Sequence, residues 1–221
     1  MSKTRHPDEP AVRGYAVTHP AGDATLLASS GWDRLVYTAS GALSVRTDRQ
    51  AWTVPPHRAL WMPDGLATVV RNRYPVAVRV LYFAADLHAA PSEPTTVVVS
   101  GFPRHLLSHV VRVCPLDVTD PGRQALLTVL LEQLRGLPNL PLALPLPRGL
   151  ESRRAGELIL AGADPPTAAR GVGVGLRTLE RRFVTETGLS LGAWRRRARI
   201  LGSVESLAAG ASVTDAGARA G

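Results

Sequence analysis

The first half of the chain contains short apolar runs that turn residues separate. The clearest runs occupy residues 35–38, 42–46, 51–54, 59–62, 67–70 and 76–83, and one more occupies 95–100. Between them stand turn-forming residues such as Ser40 and Gly41, or Pro63 and Gly65. Many short strands interrupted in this way predict a β-sandwich or a β-barrel.

From residue 101 onward the apolar spacing changes to that of helices. Residues 101–113 and 121–137 carry apolar side chains three and four positions apart, and Asp120 is a good N-cap for the second segment. The sequence PNLPLALPLP at 138–147 cannot be helical because prolines recur in it. It predicts an extended, semi-rigid connector between two domains. Helical spacing returns over 148–161, 190–209 and 212–220.

Residues 167–188, TAARGVGVGLRTLERRFVTETG, predict two short helices joined by a tight turn. Ala168, Leu179 and Phe183 are spaced to share one apolar core, and Gly173 lies at the turn, where a positive φ favours glycine. The arginines of the second helix fall on the side opposite that core. This pattern is typical of a helix-turn-helix that enters a DNA major groove. The alternative is a helical hairpin with a solvated basic face.

The helix predicted at 190–209 combines an apolar side with a dense group of arginines. The residues expected to point inward are Trp194, Ile200, Leu201, Val204 and Leu207. The arginines are Arg195, Arg196, Arg197 and Arg199. Four arginines in five consecutive residues cannot all face one groove. They are therefore assigned to phosphate contacts or to solvated surface.

The charge of the chain favours a polyanionic partner. The 221 residues have a net charge of +8, and the 26 basic residues include a single lysine. Residues 148–221 hold 12 arginines against 7 acidic residues, so positive charge is concentrated around the predicted helix-turn-helix. The chain has one cysteine and its first residues do not form an apolar leader, which predicts a cytoplasmic protein. It contains no apolar stretch of 18 residues, so no membrane segment is predicted.

Several separated motifs resemble the AraC/XylS-type transcription regulators. RTLERRF, TGLSLGAWRRRARIL and LAAGASVTDAGARAG are similar to their DNA-binding domain. DRLVYTASGALSVRTDRQAWTVPPHRALWMPDG, further upstream, is similar to their cupin-type effector domain. The resemblance implies an α+β protein: an N-terminal cupin-like β-barrel, then helices, then an all-α helix-turn-helix DNA-binding domain.

The residue patterns and the resemblance together predict a division of the chain. The segments are a disordered tail at 1–10, a cupin-like effector and dimerisation domain at 11–100, a helical dimerisation segment at 101–137, a proline-rich linker at 138–147 and the DNA-binding domain at 148–221. The family has two helix-turn-helix units, and its second recognition helix would follow Gly221. We therefore expect the second unit to be incomplete. Gly217 occupies a position where the family usually has alanine, and Gly175 occupies one where the family usually has a serine N-cap.

These assignments give two sets of candidate residues. The DNA-contacting set is Arg177, Thr178, Glu180, Arg181, Arg182, Thr167, Arg195 and Arg196. The set for a small-molecule effector is Trp32, Tyr37, Trp61 and His57. The expected partners are double-stranded DNA, an effector, a second copy of the chain and RNA polymerase. No catalytic residue and no cofactor is assigned.

The sequence leaves two rival functions open. One is a metal-dependent cupin enzyme, but the two positions of the cupin metal motif fall on Ala28 and Ser30, which are not ligands. His105 and His109 share a helix at i, i+4 without an evident third ligand, so no metal site is assigned. The other rival is a partner protein that pairs with a full-length regulator and modulates it.

Overall fold

The chain divides into two units that are not continuous in sequence. The computed structural model describes residues 9–26, 30–87 and 91–220, so most of the predicted tail, together with Ala28, lies outside the described residues. Unit 1 comprises Met1–Ser44 and Val54–Pro141, and unit 2 comprises Val45–Thr53 and Leu142–Gly221. The chain thus enters unit 2 twice, once through a short hairpin and once through its C-terminal third.

The strands form two antiparallel sheets. The strands are β1 Val12–His19, β2 Gly22–Leu26, β3 Trp32–Ser40, β4 Leu43–Arg46, β5 Gln50–Val54, β6 Arg58–Met62, β7 Thr68–Asn72, β8 Val76–Ala84, β9 Thr95–Val98 and β10 Ala143–Pro145. Every strand predicted between residues 35 and 100 is confirmed, with ends that agree to within three residues. In unit 1 the order β1-β8-β3-β6-β9 forms one sheet, and β2 pairs with β7.

One face of the five-stranded sheet is covered by helices. Leu35 lies opposite Trp61 on β6 and Leu81 on β8, and paired residues share a face. Helices α1 (Phe102–Val113) and α2 (Pro121–Arg135) cover this face and confirm the two predicted helices. Their buried contributions to the shared core are Leu106, Leu107, Val110, Leu127 and Leu130.

The segment predicted as a connector at 138–147 contributes a strand to unit 2. Its residues 143–145 pair antiparallel with 50–52 of β5, and the Leu146 amide donates to the Arg49 carbonyl at 2.7 Å. Leu144 and Leu146 are buried in the core of unit 2. Pro145 is tolerated because β10 is an edge strand, which needs ladder donors on one side only. This part of the segment is therefore packed and is not a free spacer.

Unit 2 is built around five helices. They are α3 Leu150–Leu160, α4 Pro165–Gly171, α5 Leu176–Thr187, α6 Leu191–Ala208 and α7 Val213–Ala220. Phe183 and Trp194 meet edge to face at 5.2 Å between ring centroids, and the Trp194 indole donates to the Pro145 carbonyl at 2.7 Å. The described residues of the predicted domain at 148–221 form only helices, but the unit also includes β10 and residues 45–53 and is therefore larger than that domain.

Helix α6 buries a narrower stripe than predicted. Trp194 and Leu201 are buried, but Ile200 and Leu207 are exposed by 59% and 42%. A helix at the surface buries only one stripe, so some of its apolar side chains remain in water. Across the described residues, no helix has both the length and the apolar character needed to cross a membrane.

Candidate nucleic-acid interface

Helices α4 and α5 are joined by the predicted tight turn. Asp164 caps α4, since its Oδ1 accepts a hydrogen bond from the Thr167 amide at 2.7 Å. Gly173 has φ 73°, the left-handed conformation that glycine adopts without a Cβ clash. The Val174 amide then donates to the Ala169 carbonyl at 3.1 Å and closes the turn. Gly175 is the N-cap of α5, without a side-chain hydrogen bond.

The inner side of the α4–α5 pair fixes the orientation of the second helix. Ala168 and Ala169 on α4 and Leu179 and Phe183 on α5 are all at most 1% exposed. The two alanines leave room for α5 to approach closely, while the larger side chains fill the core of unit 2. Helix α5 therefore presents a defined outer face.

Four residues form a stripe along the outer face of α5. Arg177, Glu180, Arg181 and Val184 follow one another at helical spacing and are all exposed. Among the described residues, the two arginines take part in no salt bridge. We call these four residues the α5 stripe. It offers two guanidinium forks, one carboxylate and one apolar side chain, which can read donors, acceptors and methyl groups on base edges.

Two of the other predicted contact residues on α4 and α5 have partners within the protein. The half-buried Arg182 donates to Glu151 of α3, with 3.3 Å between Nη1 and Oε2. Thr167 is exposed, and its hydroxyl accepts a hydrogen bond from Arg170 at 3.2 Å. Thr178 is half-buried beside the stripe.

The predicted phosphate contacts lie on α6. Ser190 caps this helix by accepting from the Ala193 amide at 3.2 Å. Arg195 is half-buried and Arg196 is exposed. The first turns of α6 therefore carry positive charge in the same unit as the α5 stripe.

Glu186 ties the end of α5 to the beginning of α3. Its Oε2 accepts from the backbone amides of Arg148 and Gly149 at 2.7 and 2.8 Å, and its Oε1 accepts from the Ser152 hydroxyl at 3.1 Å. At the N-terminus of α3 this carboxylate accepts hydrogen bonds from otherwise unpaired amides, and its negative charge interacts favourably with the positive end of the helix dipole. Sequence spacing could not reveal this contact, because 37 residues separate Glu186 from Gly149.

The predicted effector residues in unit 1 do not form one group. Tyr37 and Trp61 are 3% exposed and lie in the core between the sheet and α1 and α2. His57 is hydrogen-bonded to Tyr37, with 3.2 Å between its Nδ1 and the phenol oxygen. Trp32 lies on the other face of β3, because it is an odd number of residues from Tyr37, and the Arg13 guanidinium stacks 4.3 Å from its ring.

The other face of the five-stranded sheet holds a buried arginine that sequence reasoning missed. Arg34 is 1% exposed and donates to the Leu66 carbonyl at 2.6 Å. Burial lowers the pKa of its guanidinium, because the charged form loses hydration. Alternation along β3 could have flagged this charge, since Arg34 shares one face of the strand with Trp32 and Val36.

The described residues contain no group of three or more His, Cys, Asp or Glu side chains that could hold a metal ion. His105 and His109 each lie within hydrogen-bond distance of an arginine on their own helix, at 3.3 and 3.2 Å. Burial raises the pKa of the Cys114 thiol to about 11, which keeps it protonated and poorly nucleophilic.

Comparison with known proteins gives one curated relative. Over 185 residues the chain is 25% identical to the HTH-type transcriptional regulator NimR of Escherichia coli (strain K12), spanning 81% of this chain and 67% of the relative. The similarity marks the chain as a homologue of a transcription regulator. No protein-family model matches the chain.

Two solved structures overlap the chain more loosely. ToxT from Vibrio cholerae strain SCE256, bound to an unsaturated fatty acid, has a TM-score of 0.41 and 9% identity, over 95% of this chain and 85% of that one. The AraC-like transcriptional activator CuxR has a TM-score of 0.41 and 14% identity, over 96% of this chain and 82% of that one. Overlaps at this TM-score do not identify a fold.

Proposed function

We propose that the protein is a DNA-binding transcription regulator of the AraC type. In this proposal unit 2 reads DNA and unit 1, with its cupin-like strands, senses a small ligand and pairs two copies of the chain. The observation that carries the proposal is the α5 stripe: an exposed row of base-reading side chains on a helix whose inner side is fully buried. The similarity to a transcription regulator supports this role over that of a cupin enzyme.

Within the stripe, Arg177 and Arg181 are the base-reading residues. An arginine fork donates two parallel hydrogen bonds to the O6 and N7 atoms of guanine. Glu180, between them, can accept from the exocyclic amine of cytosine. Thr178 and Thr167 donate to phosphates beside the groove. Arg182 contributes less than the stripe arginines, because Glu151 already pairs with its guanidinium.

The arginines of α6 supply sequence-independent affinity. Arg195 and Arg196 neutralise phosphates, and each contact releases counterions. A single helix-turn-helix makes few base contacts. Two copies joined through residues 1–137 gain affinity through effective concentration. RNA polymerase is the further partner that such a regulator contacts.

The function is tested by selecting binding sites from a random duplex library with the purified full chain. The proposal expects enrichment of a short sequence containing guanines, with repeats of it when two copies bind together. A variant carrying Arg177→Ala and Arg181→Ala serves as the matched control and should enrich nothing. Enrichment of the same sequence by that variant, or none by the wild type, contradicts the proposal.

A further inference from the structure

A second concentration of positive charge lies in unit 1, around Tyr37. The Tyr37 hydroxyl is 3.2 Å from Nδ1 of His57. Arg79 is its partner on β8, and the Arg79 guanidinium carbon is 6.0 Å from the Tyr37 ring centroid. Burial raises the pKa of the Tyr37 phenol, and the positive charges of Arg104 on α1 and of Arg79 oppose that rise. His57 and Arg79 therefore lie beside Tyr37, and Arg104 of α1 adds positive charge to the surroundings of its phenol.

No salt bridge neutralises this cluster among the described residues. Arg79, Arg104 and His57 take part in no salt bridge there. The nearest recorded partner of Arg104 is itself basic, since its Nη2 lies 3.3 Å from Nε2 of His105. The first turn of α1 contains no acidic residue, so its positive dipole end adds to the charge of Arg104. Positive charges gathered in this way repel one another and attract an anion.

The backbone holds His57 in a conformation that non-glycine residues seldom adopt. Its φ is 61°, the only positive φ of a non-glycine residue in the described ranges. Its amide donates to the Thr38 carbonyl at 3.1 Å, and its carbonyl accepts from the Val99 amide at 2.9 Å. When Tyr37 donates to Nδ1, the imidazole proton lies on Nε2, which becomes a donor toward solvent. Strain of this kind persists where surrounding contacts hold a functional side chain in place.

We propose that Arg79, Arg104 and His57 bind a small oxyanion, a carboxylate or phosphate group, beside Tyr37. Two arginines provide paired donors that match either group, and His57 supplies a further donor. The site assigns a ligand class to the sensing unit. Its biological role therefore rests on the proposed function, although anion binding itself does not.

The experiment measures thermal unfolding and calorimetric binding of the full chain. The probes are inorganic phosphate in one arm and acetate in the other, against sodium chloride at matched ionic strength. At least one probe should bind saturably and raise the Tm of the wild type. Arg79→Gln and Arg104→Gln should each weaken that binding at least tenfold. A stronger response to phosphate assigns the site to a phosphate-bearing ligand, and a stronger response to acetate assigns it to a carboxylate.

Two control variants separate this site from other arginines. Arg112→Gln removes an arginine from the same helix α1, and Arg177→Gln removes one from the DNA-reading stripe of unit 2. Both should bind the anion as the wild type does. If Arg112→Gln weakens binding as much as Arg104→Gln, or if neither probe binds saturably, the site is refuted. Loss of DNA binding in Arg177→Gln with intact anion binding leaves the site standing.

The sign of a stability change provides an independent readout. In chloride alone, Arg104→Gln should match or exceed the wild-type Tm, because it removes an uncompensated charge. In a saturating concentration of the anion that binds, the Tm of the wild type should exceed that of Arg104→Gln. An arginine with a purely structural role would lower the Tm in both solutions, and that result overturns the proposal.

Discussion

Glu186 at the end of α5 accepts a hydrogen bond from the backbone amide of Gly149 at 2.8 Å, and so holds the beginning of α3. The contact leaves little room, because a Cβ placed on Gly149 would lie 3.0 Å from Glu186 Oε1. Helix α5 also carries the proposed DNA-reading stripe. One helix thus carries a structural contact at its C-terminal end and a recognition surface along its first three turns.

Glu186→Gln should destabilise unit 2. The carboxylate accepts three hydrogen bonds, two of them from backbone amides, and a neutral amide is a weaker acceptor. With partial solvent screening we expect a loss of about 1–2 kcal/mol in the free energy of unfolding. Urea titration measures it. Glu180→Gln on the same helix is the matched control and should change stability by less than about 0.5 kcal/mol. Equal losses in the two variants would contradict this role.

The α4 cap should produce a pH-dependent contribution to stability. The backbone hydrogen bond from Thr167 lowers the pKa of Asp164 below its usual 3.8. The lower folded-state pKa adds stability above the unfolded value, and that addition is lost as pH falls through the folded value. Asp164→Asn keeps a good cap but does not titrate. The Tm advantage of the wild type over this variant should therefore shrink between pH 6 and pH 3. An advantage that is constant with pH would refute the role of the charge.

The helix-turn-helix could be predicted from sequence because its determinants are local. Gly173 supplies the left-handed turn, and Leu179 and Phe183 lie one helical turn apart, so spacing alone places them. The hairpin at 45–53 could not be assigned to unit 2 in this way. Its partner strand at 143–145 is about ninety residues away, and no local pattern records such a pairing. The same distance hid the strand within the proline-rich segment.

The effector residues show a second limit of sequence reasoning. Alternation along β3 and β6 places Tyr37 and Trp61 on one face and Trp32 on the other. It does not say which face the helices α1 and α2 will cover. Sequence reasoning therefore placed Tyr37 and Trp61 in one effector set with Trp32, whereas Tyr37 and Trp61 belong to the core beneath the helices. The half-buried arginines Arg79 and Arg104 carried no sequence signal that linked them to Tyr37.

Val184 should contact a thymine methyl group in the bound site. It is 51% exposed on the α5 stripe, where an apolar side chain is costly unless it is covered. Replacing the contacted thymine by deoxyuridine removes only that methyl group. Wild-type binding should weaken about three- to fivefold, in line with roughly 0.8 kcal/mol per buried methyl-sized group. Binding of Val184→Ala should be nearly indifferent to the change. Equal losses for both proteins at every thymine would contradict the contact.

Arg195 and Arg196 should contribute to affinity without contributing to sequence preference. Replacing both by glutamine removes up to two phosphate contacts. The negative slope of log K against log salt should therefore become less steep, by up to about two units. The preferred sequence should not change. Fluorescence anisotropy between 50 and 300 mM salt measures the slope, with Arg112→Gln in unit 1 as a control for the removal of an arginine outside the interface. A slope equal to that of the wild type would mean that the two arginines are merely solvated.

The central claim is that the α5 stripe reads base edges, and the specificity ratio of Arg177→Ala tests it most directly. Affinity is measured by anisotropy, at one salt concentration, for the selected duplex and for a scrambled duplex of the same composition. Loss of a bidentate contact with guanine removes about 1–3 kcal/mol of discrimination. The ratio of the two affinities should therefore fall by roughly five- to 150-fold, while binding to the scrambled duplex changes little. An equal fall in both affinities would contradict the claim and would leave Arg177 as a phosphate contact.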